Sequence, residues 1–203
     1  VILQHIKDYD VIDIDELIMI CEEKQIHYVA LSYLCQMLAP DFIRVNQTSL
    51  MRIELTGIDS DVVSSVVDNV NEMLETRDYI VPSAIDDYIW FPNIEIDWNE
   101  FLLESIIVQS KKVNIVYLIG DPLKHPNAVF VSDLYKNETF NSFLVSILKD
   151  EVKKGTFISK IEMRDWLREK GLIEGKLPNF LESAKYFYVD ETGVHITGDE
   201  DDD

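Results

Sequence analysis

Four carboxylates within twelve residues, Asp86, Asp87, Glu95 and Asp97, form the densest group in this chain that could do chemistry. Carboxylates so placed can hold Mg²⁺ or divide into a general acid and a general base. No His or Lys stands among them, and the stretch is flanked by Pro92 and by aromatic residues. Solvated turns explain these acids better than a reaction centre does. Cys21 and Cys35, with His5 and His27 nearby in sequence, could be drawn as a zinc set. Their spacing fits no compact ligand pattern, and both cysteines fall on apolar helix faces, which suits buried reduced thiols. No metal site and no cofactor are expected.

The glycine-rich phosphate loop G-x-x-x-x-G-K-[ST] is missing, and Gly120-Asp121-Pro122 lacks the glycines and lysine that would cradle phosphates. H-E-x-x-H, G-x-S-x-G and Cys-x-x-Cys do not occur either. His125, between Lys124 and Pro126, reads as an exposed turn residue, and His195 as an outward-facing hairpin position. No catalytic residue is assigned, and the chain is not expected to be an enzyme.

Two other constellations point to binding. The first is a cluster of cations near the C-terminus, whose default reading is a solvated helix face; Lys153, Lys154, Lys160, Arg164, Arg168 and Lys176 are the candidate nucleic-acid contacts, and docking of an acidic protein is the other use of such a surface. The charge of the whole chain opposes that reading. It carries 18 Lys+Arg against 38 Asp+Glu, a formal net charge of −20. A phosphate-binding protein gains affinity when basic groups release counterions, and distributed carboxylates do the reverse. The last segment is the exception: without Asp199, Glu200, Asp201, Asp202 and Asp203, residues 138–198 hold 9 bases and 10 acids. The second constellation is the run from Tyr88 to Trp98, where Tyr88, Trp90, Phe91 and Trp98 interleave with acids. Nearby carboxylates repel phosphate, so this run suits packing between units or contact with a protein rather than stacking on bases.

The elements that must position these residues are legible from caps and periodicity. Ser159 and Glu162 form a capping box, and Asp13 and Glu16 stand at equivalent places 146 residues earlier. Leu17, Ile20 and Cys21 match Met163, Trp166 and Leu167, an i, i+3, i+4 face that one side of a helix can bury. Gly171 is a natural left-handed helix stop, and Gln25 is a poorer one. Leu31, Leu34, Cys35 and Leu38 then match Leu177, Phe180, Leu181 and Ala184 as a second helix. Phe42 to Leu55 and Tyr186 to Thr197 each read as a β-hairpin around a polar turn. Between them lies either a third, degenerate version or a linker helix plus a small mixed α/β insert. Asp59 or Ser60 caps a valine-rich helix, Tyr79-Ile80-Val81 is a short strand, and Pro82-Ser83 opens a brief helix. Asp97 caps a further helix, and Val113–Ile119 pairs with Ala128–Val131.

Helix, short strand, two helices and a hairpin is the order of a winged helix, and the chain resembles that superfamily in this order of elements. The last unit with its acidic tail is similar in outline to the delta subunit of bacterial RNA polymerase. That likeness covers residues 157–203, rests on no specific motif, and meets a much shorter tail here. The expected fold is mostly α with small β-hairpins (α+β), in tandem winged-helix-like units. These comprise residues 1–57, a middle unit at 58–137 and a last unit at 138–198, followed by a disordered acidic tail at 199–203. The run Val1-Ile2-Leu3-Gln4-His5-Ile6 begins inside a helix-like pattern without an initiator Met, as expected for the C-terminal part of a larger cytoplasmic protein. No apolar run approaches the ~20 residues that cross a bilayer. The expected function is non-catalytic docking of protein partners within a nucleic-acid-handling assembly. Direct DNA binding by the last unit, and mimicry of DNA by the acidic surface, are the rival expectations.

Overall fold

In the computed structural model, residues 6, 8–26 and 41–197 are described. Their fold is α+β, with helices packed among antiparallel sheets of two or three strands. The first segment opens with β1 (Val11–Asp13), which runs straight into α1 (Ile14–Glu23). Asp13 makes that join possible: its backbone is extended, and its carboxylate accepts the amides of Asp15 (2.8 Å) and Glu16 (3.3 Å). Ile14, Leu17 and Cys21 form the buried stripe of α1. A hairpin of β2 (Phe42–Arg44) and β3 (Ser49–Arg52) completes the sheet in the order β1-β3-β2. The expected helix of Leu31, Leu34, Cys35 and Leu38 lies outside the described residues. So do the starting run to His5, the histidine His27 and the tail from Gly198.

The middle segment contains α2 (Ser60–Thr76), β4 (Tyr79–Ile80), a 3₁₀ turn (Pro82–Ala84), α3 (Glu100–Ser110), β5 (Asn114–Tyr117) and β6 (Ala128–Val131). Asp59 caps α2 through the amides of Asp61 and Val62. Val66, Val67 and Val70 are buried, so packing holds together a helix whose β-branched residues disfavour it locally. Asp97 does not cap α3. Asn99 does, with its side-chain oxygen accepting the amides of Phe101 (3.0 Å) and Leu102 (3.1 Å), and the helix therefore starts two residues later. The sheet order is β4-β6-β5, again with the second hairpin strand in the centre.

The last segment contains α4 (Phe140–Lys153), α5 (Lys160–Glu169), a single-turn α6 (Asn179–Glu182), β7 (Phe187–Asp190) and β8 (Gly193–Ile196). Ser159 accepts the Glu162 amide (3.2 Å), while the Glu162 carboxylate reaches back to the Ile158 amide (2.9 Å). The Val194 amide donates to the Phe157 carbonyl (3.2 Å), so the chain before α5 lies against β8. The expected helix through Ala184 is shorter than its apolar spacing suggests. Pro178 stands at its N-cap and Ser183 is extended, which leaves Ala184 exposed.

Local geometry recurs between the first and last segments. α1 and α5 begin and end 146 residues apart. Their exits match bond for bond: Lys24, Gln25 and Ile26 donate to Ile20, Glu22 and Cys21, while Lys170, Gly171 and Leu172 donate to Trp166, Arg168 and Leu167. Gln25 adopts the left-handed conformation (φ 55°) that Gly171 adopts more cheaply (φ 69°). The hairpin turns also correspond, with Asn46 accepting from Thr48 and Asp190 from Thr192.

β6 joins two cores. Ala128 and Phe130 face the α2–α3 core, whereas Val129 and Val131 face the core built on α4, α5 and β8; all four are 0–1% exposed. Ile43 and Val45 of the first segment also enter the α2–α3 core. In the last core Met163, Leu167, Leu181 and Phe187 are fully buried. Trp166 and Phe180, placed on the same stripes by the sequence, are only partly buried and pack on its margin.

Candidate functional site

The loop between the Pro82–Ala84 turn and α3 folds into a knuckle. Tyr88 stacks on Trp98 with ring centroids 6.2 Å apart and planes 10° from parallel. Phe91 closes the group at 5.6 Å from Tyr88 and 5.1 Å from Trp98. The Trp98 indole N–H donates to the Pro92 carbonyl (2.8 Å), and the Tyr88 carbonyl accepts the Phe91 amide (2.9 Å). Burial, aided by the Glu100 charge, pushes the Tyr88 phenol up to about 12. These three rings rest on the α2–α3 core and form the base of the knuckle.

Its tip points outward. Ile89 and Trp90 are each 74% exposed. The Ile89 amide donates to Asp87 (2.9 Å), and the Asn69 side-chain amide on α2 donates to the Trp90 carbonyl. Asp86, Asp87, Glu95 and Asp97 are exposed in the same loop. Of the four aromatics that the sequence offers as a protein contact, only Trp90 is presented. Tyr88, Phe91 and Trp98 position it. Ile89 and Asn69 were not singled out by sequence. An Asn on a valine-rich helix face was the one signal that could have marked Asn69.

The cations of the last segment do not form one free patch. Lys154 pairs with Glu151 (2.6 Å), and Arg164 pairs with Asp165 through two nitrogens (2.9 and 2.6 Å). Lys160 donates to the Leu181 and Glu182 carbonyls at the end of α6. Lys153, Arg168 and Lys176 are exposed, and Lys176 lies in the loop before α6 rather than on a helix. Arg164 and Arg168, one helical turn apart, meet His125 across an open groove that Asp165, Glu169 and Glu174 also line. His195 on β8 stacks on its cross-strand partner Tyr188 and reaches back to the turn, against Asp190 (3.0 Å) and Thr192 (2.8 Å).

A second polar constellation, unforeseen from sequence, joins the first and middle segments. Arg44 on β2 donates to the Asn46, Gln47, Pro122 and Leu123 carbonyls while its guanidinium lies 4.2 Å from the Phe101 ring centroid. Nearby, the Glu104 carboxylate accepts the amides of Asn127 (2.7 Å) and Ala128 (2.6 Å). Burial raises the Glu104 pKa; those two hydrogen bonds and Arg44 act in the opposite sense. Asn99 donates to the Val45 carbonyl (2.7 Å) and Gln109 to that of Phe42 (3.1 Å), fixing the first hairpin on α3. This cluster is an internal brace.

Among the described residues no group of three His, Cys, Asp or Glu side chains converges as a metal site, and no helix is long and apolar enough to cross a membrane. Cys21 is buried, and burial raises its thiol pKa. No protein-family model, curated protein or solved structure matches this chain.

Proposed function

We propose that the chain is a non-catalytic interaction module of three winged-helix-like units, which docks a protein partner within a nucleic-acid-handling assembly in the cytoplasm. The observation that carries the docking role is the Ile89–Trp90 tip, raised on a stacked aromatic base and tied to α2 by Asn69. Trp is among the residues that most often dominate the binding energy of interfaces, and a pre-ordered one loses little entropy on docking. The unit assignment is supported by the order shared by the first and middle segments, in which a strand preceding the hairpin pairs with the hairpin's second strand, and by the bond from the Val194 amide to the Phe157 carbonyl at the corresponding place in the last. The buried thiol of Cys21 suits a reducing compartment.

The groove bearing Arg164, Arg168 and His125 favours a second reading, DNA binding through the last unit. Fluorescence anisotropy with a labelled duplex at two salt concentrations separates the two. The docking reading expects no submicromolar binding at physiological salt. Under the DNA reading, removing residues 199–203 strengthens binding. Replacing Lys153, Lys154, Arg164 and Arg168 with Ala then weakens it and flattens its salt dependence. Submicromolar binding by the intact chain, abolished by those substitutions, would overturn the docking reading.

A further inference from the structure

We infer that the Ile89–Trp90 tip seats in an apolar pocket edged by lysine and arginine on a basic protein partner. This rests on the docking reading above and adds the chemistry of what is docked. The tip supplies the apolar half of the argument. Two adjacent large side chains, each 74% exposed, stand on a base of stacked rings, and their own backbone is held by the Ile89 amide donating to Asp87 and the Asn69 side chain donating to the Trp90 carbonyl. Such an anchor needs a concave apolar counterpart, because only desolvation on both sides returns the free energy of its burial.

Charge supplies the other half. Residues 58–110, which build α2, the knuckle and α3, contain twelve acids, of which Glu104 is turned into the internal brace, and one base, Arg77. Asp86 and Asp87 directly precede the tip in the chain, Asp87 accepts the Ile89 amide, and Glu95 and Asp97 are exposed in the same loop. Asp68 and Glu72 on α2 are exposed on either side of Asn69 in sequence, and Asn69 holds the Trp90 carbonyl. A partner bringing carboxylates or phosphates to this surface would be repelled, whereas lysine and arginine around the pocket complement it and steer association. The exposed indole face also attracts cations directly. An anionic bilayer is disfavoured for the same reason as a nucleic acid. A second copy of the chain is disfavoured too, because its net charge is −20.

The test uses the whole chain and four probes read by tryptophan emission and by titration. These are a synthetic amphipathic Lys/Leu helix, a Glu/Leu helix of the same length, poly-lysine, and phosphatidylcholine vesicles. The Lys/Leu helix is expected to bind with a blue shift from Trp90 and to bind more weakly as salt rises. Trp90→Ala should lose at least about tenfold in affinity for that helix, the scale of a binding hot spot. It should keep the wild-type affinity for poly-lysine, which shows that the charged surface is intact. Circular dichroism checks that the variant is folded. Equal affinity of Trp90→Ala for the Lys/Leu helix, equal binding of the Glu/Leu helix, or a blue shift with vesicles alone would overturn the inference. Absence of peptide binding would also overturn it, but leave the docking reading standing, which falls only by the duplex experiment.

Discussion

Glu104→Ala tests whether the brace between α3 and the β5–β6 hairpin is a structural keystone. The wild-type carboxylate accepts two backbone amides, from Asn127 at 2.7 Å and Ala128 at 2.6 Å, and Ala128 is 1% exposed. Alanine leaves both donors without that acceptor. Each buried donor so orphaned costs roughly 1–3 kcal/mol, so the gross loss is about 2–6 kcal/mol. Removing a buried charge returns part of this. Arg44 is not stranded, since four carbonyls still accept from it. A net loss of about 2–4 kcal/mol is expected, read as a lower urea midpoint at unchanged slope. Glu104→Gln keeps a side-chain oxygen for the amides and should stay within ~1 kcal/mol of wild type at neutral pH. The pH dependence has a definite sign. Burial raises the carboxyl pKa in the folded state, so the protonated form is the one folding favours. Its contribution is fully present below the ordinary carboxylate range and is lost as pH rises through the folded value. Wild type should therefore gain stability relative to Glu104→Gln as pH falls. Wild-type stability of Glu104→Ala, or a difference that grows in the opposite direction with pH, would refute this account.

Two further substitutions probe the last segment. Gly193 has φ +133°, and an added Cβ would lie 2.8 Å from the Phe157 carbonyl oxygen, whereas Gly155 (φ +70°) has nothing within 4 Å. Gly193→Ala should cost more than Gly155→Ala, whose loss is limited to the ~1–2 kcal/mol of a left-handed backbone; equal urea midpoints for the two variants would show that the chain before α5 does not press on β8. Leu181→Ala removes a side chain with no exposure and should cost about 2–5 kcal/mol, while Phe180→Ala, at the margin of the same core, should cost less. Thermal melts in which Phe180→Ala is the more damaging would show that the stripe of α6 faces the other way.

The sequence by itself determined the local features. Asp13, Asp59 and Ser159 cap the helices where an extended residue with a short acceptor side chain precedes an apolar stripe. The hairpins, the α+β class and the 146-residue spacing between α1 and α5 were equally legible, because caps, periods and turns are fixed by residues within a few positions of each other. Errors arose where distant residues decide. Asn99 rather than Asp97 caps α3; the Asn99 amide also reaches Val45, more than fifty residues away. Gln25 was no such case: read as the poorer stop, it does close α1 in a left-handed conformation, held by bonds within five residues. Only the tertiary structure separated Trp90 from Tyr88, Phe91 and Trp98. All four are aromatics in one loop, but which rings stack on α2 and α3 depends on surfaces assembled elsewhere in the chain. The same holds for the cations. Lys154, Lys160 and Arg164 look alike in sequence, yet each is committed to a different partner. Exposure and pairing are properties of the assembled surface, so no reading of residue type and spacing contains them.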